Sequence, residues 1–105
     1  MKIPLVDLKA QYQDIKENIN RSINLSLKEA NFIGGNEVKE FEKKFAKFNN
    51  SKFCVGVGNG TDALVVCLMA LGINVGDEVI VPTHTFISTS EAVRIVGAKP
   101  VMIDI

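Results

Sequence analysis

The 105-residue sequence has few histidines and cysteines to build metal sites or disulfide frameworks, and it has no excess of positive charge. It contains no tryptophan, one histidine and two cysteines. Cys54 and Cys67 lie in apolar segments without a C-x-x-C spacing, so we expect buried reduced thiols and no metal site. Twelve basic and twelve acidic residues give no net charge, which argues against a nucleic-acid partner.

Long hydrophobic runs are also missing. The longest, residues 63–71, is too short to cross a bilayer. The opening MKIPLVDLKAQ reaches charged residues too early for the apolar core of a signal peptide. We therefore expect a cytoplasmic protein without a membrane partner. The hydrophobic content of 47% is ample for a packed core and excludes a disordered chain.

The first half of the chain predicts two helices, because apolar residues recur there every three or four positions. The first helix runs from residue 8 to about residue 30, with Asp7 as its N-cap. The segment NFIGGN ends it, and the second helix begins near Asn36. We expect the apolar stripe of the second helix to lie in the core; its members are Val38, Phe41, Phe45 and Phe48.

The second half alternates apolar runs with helical segments. The runs KFCVGV, DEVIVP and KPVMIDI are nearly continuous, which predicts parallel strands buried on both faces. The helices between them, residues 61–71 and about 88–96, each end at a C′ glycine, Gly72 or Gly97. This β-α-β-α-β order predicts an α/β fold with a parallel sheet. Such a sheet normally continues beyond a third strand, so we expect the chain to be incomplete.

A glycine-rich turn, GVGNGTDAL, connects the first predicted strand to its helix. Glycine lets a backbone approach a ligand, and a helix N-terminus binds anions. The G-x-G-x-G-T spacing, with no acid after the second strand, argues against a dinucleotide, and the lack of G-K-[ST] excludes a triphosphate P-loop. Two interpretations remain. Either the glycines only permit tight packing, or the N–H groups of Gly60, Thr61 and Asp62, with the Thr61 hydroxyl, hold one phosphate while the Asp62 carboxylate is aimed away.

Five motifs in one order resemble the DegT/DnrJ/EryC1/StrS family: FIGGNEVKEFEKKFAKF, GVGNGTDAL, ALGINVGDEVIVP, TFISTSEAV and GAKPVMIDI. With the opening IPLVDLKAQY, the resemblance covers essentially the whole chain. It implies the type I, aspartate aminotransferase-like fold, with residues 1–35 as an N-terminal helix and arm. Residues 36–105 would be the incomplete start of the large α/β domain. In that fold the strand at 53–57 lies at one sheet edge, the other two lie toward the opposite edge, and later sequence supplies the strands between them.

The resemblance also implies a homodimeric sugar-nucleotide aminotransferase that uses pyridoxal 5′-phosphate. Its members move an amino group from glutamate to a nucleotide-linked keto-sugar in amino-sugar, polysaccharide or glycoside biosynthesis. By position, Gly60, Thr61 and Asp62 meet the cofactor phosphate, and Phe86 stacks on the pyridine ring. The family's Schiff-base lysine and pyridine-pairing aspartate would lie beyond residue 105, so no catalytic residue is assigned and residues 1–105 alone are expected to be inactive. His84 receives no role, and the alternative is a stand-alone, non-catalytic phosphate-ligand-binding or interaction module.

Overall fold

A computed structural model describes residues 5–105, which form four helices and two strands. In chain order these are α1 (Leu8–Glu29), α2 (Gly35–Phe48), α3 (Gly60–Ala70), β1 (Glu78–Pro82), α4 (Ser88–Ile95) and β2 (Lys99–Ile103). The chain divides into two compact units, Met1–Cys54 and Val55–Ile105. The division at residue 35 stays a prediction, and residues 1–4 of the predicted arm lie outside the described residues.

The two helices of the first unit begin and end where their local sequence predicts. The Asp7 carboxylate accepts a hydrogen bond from the backbone N–H of Ala10 at 3.0 Å and so caps α1. The helix ends at Ala30, which adopts a left-handed conformation with φ of 50°. After the turn, α2 begins at Gly35, one residue before the predicted start. Periodicity therefore suffices to predict both helices, and an N-cap also marks the start of α1.

The predicted core role of the α2 stripe is wrong for this structure. Phe41 and Phe45 stack with ring centroids 5.4 Å apart, yet 57% and 48% of their surfaces stay exposed. Ala46 is the one buried residue among those described in the first unit. The physical reason is that α1 and α2 do not pack against each other, so neither helix covers the other's apolar side.

The second unit contains a β-α-β arrangement whose two strands are parallel, as predicted, although the predicted sheet had a third strand. The register runs from Glu78 opposite Lys99 to Pro82 opposite Ile103. Helix α4 connects the strands, packs on both of them and also packs on α3. A small core joins these elements: Val81, Val93 and Ala98 are buried, and Leu68, Ile73, Val79 and Val96 surround them.

Two predictions about the strands are wrong. Residues 53–57 form no strand in the described chain, because a strand needs a hydrogen-bonded neighbour and β1 and β2 pair only with each other. The strands are also not buried on both faces. Val79 and Val81 pack on the α4 side, whereas Ile80 between them is 66% exposed, since alternate residues point to opposite faces and the other face is uncovered.

The structure also bears on the cysteines, on metal ligands and on membrane-spanning helices. Cys54 and Cys67 are free thiols, but neither is buried as predicted, since Cys54 is partly exposed and Cys67 is exposed on α3, a helix without a buried residue. Within residues 5–105 no cluster of three or more histidine, cysteine and acidic side chains could hold a metal ion. No helix in the same range has the length and apolarity needed to cross a membrane.

A cross-strand ion pair ties the starts of the two strands together. The Lys99 ammonium donates a hydrogen bond of 2.7 Å to the Glu78 carboxylate. This hydrogen bond, followed by the attraction of the Glu78 charge, raises the pKa of Lys99 above its ordinary value of 10.5. Both side chains are more than half exposed, so the pair sits in water rather than in the core.

Candidate functional site

The site is best described from the start of α3, where Asn59 is the N-cap residue. Its side-chain oxygen accepts a hydrogen bond of 2.9 Å from the backbone N–H of Asp62. Its side-chain nitrogen donates a second bond of 3.0 Å to the Asp62 carboxylate. These two bonds, which we call the Asn59–Asp62 clasp, fix the first turn of the helix.

The clasp changes what Asp62 can offer a ligand. Its backbone N–H, predicted to face a phosphate, is already bonded to Asn59. Its carboxylate, predicted to be aimed away from a phosphate, does not line the groove described below. It lies over Gly58, where an added Cβ would stand 2.6 Å from the Asp62 Oδ2 atom. The reason is the Asn59 amide, which draws the carboxylate back by donating to it.

Gly60 and Thr61 remain open to a ligand. They are the first two residues of α3, and the N–H groups at the start of a helix have no acceptor within it. A Cβ built on Gly60 would meet no atom within 4 Å, so there is free space beside its backbone. The Thr61 side chain adds a hydroxyl that can also donate to an anion.

Phe86 lies on the loop that follows β1. The loop is anchored at its start by a 2.8 Å hydrogen bond from the Thr83 N–H to the Ile103 carbonyl. Near its end the Thr85 and Thr89 hydroxyls are 3.2 Å apart, and the Thr89 N–H donates to the Phe86 carbonyl at 3.1 Å. The Phe86 side chain is nevertheless 76% exposed. The loop thus holds an aromatic ring in solvent.

An open groove of about 440 Å³ lies between the first turns of α3 and α4. Three of the four predicted site residues, Gly60, Thr61 and Phe86, line it together; Asp62 does not. The lining is completed by residues that sequence reasoning missed, namely Asn59, Leu64, Ser88 and Thr89. The signal that could have found Asn59 is the preference for asparagine at a helix N-cap.

The groove suits a molecule with an anionic group and a flat apolar part. Two helix N-termini carry partial positive charge toward it, and the Thr61 and Ser88 side chains bring hydroxyls. The exposed Phe86 ring offers a stacking surface. A larger hollow of about 580 Å³ lies near the other ends of the same helices, between Met69 and Ile95. Helix C-termini carry partial negative charge, so an anion is not attracted there.

Comparison with known proteins identifies a family whose members resemble this chain. The sequence profile of the DegT/DnrJ/EryC1/StrS aminotransferase family matches residues 13–105. A UDP-2-acetamido-2-deoxy-3-oxo-D-glucuronate aminotransferase of Pseudomonas aeruginosa is 46% identical over 98% of this chain and 29% of its own length.

Two solved structures resemble the chain closely. A DegT/DnrJ/EryC1/StrS aminotransferase from Brucella abortus has a TM-score of 0.92 at 40% identity, over 99% of this chain and 28% of its own. NtdA of Bacillus subtilis, solved with bound cofactor PMP, has a TM-score of 0.89 at 32% identity, over 99% of this chain and 24% of its own. The chain thus spans little more than a quarter of the length of the curated relatives it matches.

Proposed function

Because this chain belongs to the DegT/DnrJ/EryC1/StrS aminotransferase family, we propose that the protein containing it is a sugar-nucleotide aminotransferase that uses pyridoxal 5′-phosphate. The observation that carries the proposal is the groove in which Gly60, Thr61 and Phe86 meet. The similarity to the Pseudomonas aminotransferase supports a nucleotide-linked keto-sugar as the amino acceptor. We further propose glutamate as the donor, a homodimer as the working form and the cytoplasm as its location.

The residues of the groove fit the phosphate of the cofactor. The N–H groups of Gly60 and Thr61 lie in the first turn of an 11-residue helix, and the space beside Gly60 is open. The Thr61 hydroxyl provides a third donor for a dianion. Asp62 enters the proposal only through its N–H, which the phosphate would share with or take from the Asn59 side chain.

The same groove fits the ring of the cofactor. Phe86 offers an uncovered aromatic face, and no side chain of the described unit stacks on it. Leu64 on α3 adds apolar lining to the groove. When bound, pyridoxal phosphate supplies an electron sink for moving an amino group. In the proposal Gly60 and Thr61 bind the cofactor's anionic end, and Phe86 orients its ring.

An amine-transfer assay tests the proposal on the native protein. The protein is loaded with pyridoxal phosphate and given ¹⁵N-glutamate, and the release of 2-oxoglutarate is measured. A UDP-linked 3-keto-sugar is then added, followed by dTDP- and GDP-linked keto-sugars, and the ¹⁵N-amino-sugar nucleotide is sought by mass spectrometry. We expect ¹⁵N in one of these products.

The Thr61→Ala variant is the matched comparison in this assay. It should need more pyridoxal phosphate to reach the same rate. Cofactor binding without release of 2-oxoglutarate, and without transfer to any keto-sugar, would overturn the aminotransferase proposal and favour a non-catalytic phosphate-binding module.

A further inference from the structure

We propose that Thr89 is a positioning residue that holds Phe86 in place for the cofactor ring. The inference rests on the function proposed above and extends it to a residue that touches the ring platform rather than the reacting atoms. Thr89 lines the groove together with Phe86, and its hydroxyl lies 3.2 Å from that of Thr85. Phe86 therefore sits between two threonines whose side chains are joined.

The Thr85–Thr89 contact joins the loop to α4 at a helix start that has no side-chain cap. Helix α4 begins after Ile87, whose side chain cannot accept a hydrogen bond and makes no cap. The hydroxyl contact between Thr85 and Thr89 instead links the loop to the first turn of the helix. The Thr89 N–H adds a 3.1 Å bond to the Phe86 carbonyl. Both hydrogen bonds are made by Thr89, and they reach the adjacent residues Thr85 and Phe86.

The consequence is a ring that is fixed through its backbone but free on its face. Thr83 anchors the start of the loop to β2 with a 2.8 Å hydrogen bond, and Thr89 anchors its end. Phe86 is still 76% exposed, so packing contributes little to its orientation. Removing the Thr89 hydroxyl should leave the ring present but less well ordered, which lowers its stacking on a ligand.

The test measures equilibrium binding of pyridoxal 5′-phosphate and the visible circular dichroism of the bound cofactor in the native protein. Stacking beyond area burial corresponds to a loss of about 2- to 12-fold in affinity for Phe86→Ala. Thr89→Val, which keeps the shape and removes the hydroxyl, should lose part of that affinity and much of the dichroic signal. Thr89→Ser retains the hydroxyl and should bind as the parent does.

A control and a double variant separate positioning from general damage. Thr83→Val makes the same substitution on the same loop but keeps the backbone bond to Ile103, so we expect parent-like binding and dichroism. In a Phe86→Ala background, Thr89→Val should cause no further loss, because the residue acts through the ring. A thermal melt of each variant shows that the fold is retained.

Three outcomes would overturn the inference. Parent-like dichroism and affinity in Thr89→Val would remove the positioning role while leaving the proposed function intact. An undiminished loss in the Phe86→Ala background would show that Thr89 acts otherwise than through the ring. Absence of any pyridoxal phosphate binding by the parent would overturn the proposed function itself and this role with it.

Discussion

At the scale of single residues, the glycines of the turn before α3 differ in what they permit. Gly58 leaves room for a protein atom, since an added Cβ would stand 2.6 Å from the Asp62 carboxylate. Gly60 leaves room for something from outside, since its added Cβ would meet no atom within 4 Å. The first glycine therefore serves the Asn59–Asp62 clasp, and the second serves the proposed ligand.

Gly60 allows a test in which folding and binding separate. Gly60→Ala has free space for its methyl group and should fold normally, because alanine also favours the helix more than glycine. Gly60→Val should block the approach of a phosphate more fully. We expect both variants to weaken pyridoxal phosphate binding, measured by fluorescence titration, without lowering the melting temperature of the apo protein. Unchanged titrations would place the phosphate elsewhere.

Thr61 should contribute through its hydroxyl. Thr61→Ala removes one donor to a charged acceptor, which costs on the order of 1.5–3 kcal/mol of binding free energy. Thr61→Ser keeps the hydroxyl and serves as the matched control. The measurement is the dissociation constant for pyridoxal phosphate, compared with that for pyridoxal, which lacks the phosphate. An equal loss for both ligands would contradict a phosphate contact.

Phe86 should tolerate a larger ring. Its side chain is exposed, so tryptophan meets no crowded core at this position, and tryptophan offers a broader stacking surface. We expect Phe86→Trp to bind pyridoxal phosphate at least as well as the parent, with quenching of the new indole fluorescence by the bound cofactor. Fluorescence that does not respond to saturating cofactor would contradict contact between the two rings.

At the scale of elements, what could be predicted depended on whether the cause was local. The helix bounds follow from periodicity and from caps such as Asp7, which lie within a few residues of what they stabilise. Burial of Phe41 and Phe45 could not be judged in this way, since it depends on which element covers them. The prediction of a strand at residues 53–57 was wrong for the same reason. A strand needs a partner that is distant in sequence.

The features of the candidate site also differ in whether their cause is local in the sequence. Gly60 and Thr61 were predicted from the glycine-rich turn and from the resemblance, Phe86 was predicted from the resemblance alone, and the structure brings the three to one groove. The Asn59–Asp62 clasp could have been predicted in part from the N-cap preference, but not the second bond, which depends on side-chain rotamers. The Thr85–Thr89 contact depends on how the loop enters α4, and a sequence pattern does not specify that geometry.

The clasp itself predicts how α3 responds to mutation. Asn59→Ala removes the cap of the helix and should cost about 0.5–2 kcal/mol of unfolding free energy. The amide of Asp62 should also exchange its hydrogen faster, because its bond to Asn59 is lost. Asp7→Ala is the matched control, since it removes from α1 a cap that also accepts from the N–H three residues on. Unaltered exchange at Asp62 in Asn59→Ala would contradict the clasp.

The ion pair between the strands predicts a pH dependence. Since the hydrogen bond to Glu78 raises the pKa of Lys99, the pair stabilises the fold fully below the ordinary lysine value of 10.5. The stabilisation is lost as the pH rises through the raised value. We expect the urea midpoint of the parent to fall more steeply in this alkaline range than that of Lys99→Met. The difference should be small and should shrink in high salt, because both groups are exposed.

At the scale of the whole molecule, the described elements leave much apolar surface uncovered. Neither α1 nor α3 contains a buried residue. The accessible surface is 9132 Å² for a mass of 11.5 kDa. Two separate compact globules of half that mass would together expose only roughly 7,000 Å². Part of this excess is apolar surface. Each Å² of apolar surface left in water costs about 25 cal/mol of folding free energy.

This surface predicts that residues 1–105 produced alone do not fold cooperatively. The two-stranded sheet has open edges, and Ile80 and Met102 expose apolar surface on it, so strands of different molecules can pair. We expect strong binding of a hydrophobic dye, aggregation that grows with concentration, a broad thermal transition and no glutamate-dependent amine transfer. The absence of transfer has a separate reason, because no lysine lines the groove between α3 and α4.

The control for this prediction is the native protein, assayed beside residues 1–105 at the same concentration. The proposed function predicts that the native protein melts in one sharp transition and binds little dye, which requires the apolar sides of α1 and α3 to be covered in it. A soluble 105-residue monomer that melts sharply and binds one pyridoxal phosphate would contradict the prediction. That result would show that two helices and a β-α-β unit suffice for a stable phosphate-binding module, which is the alternative to the aminotransferase.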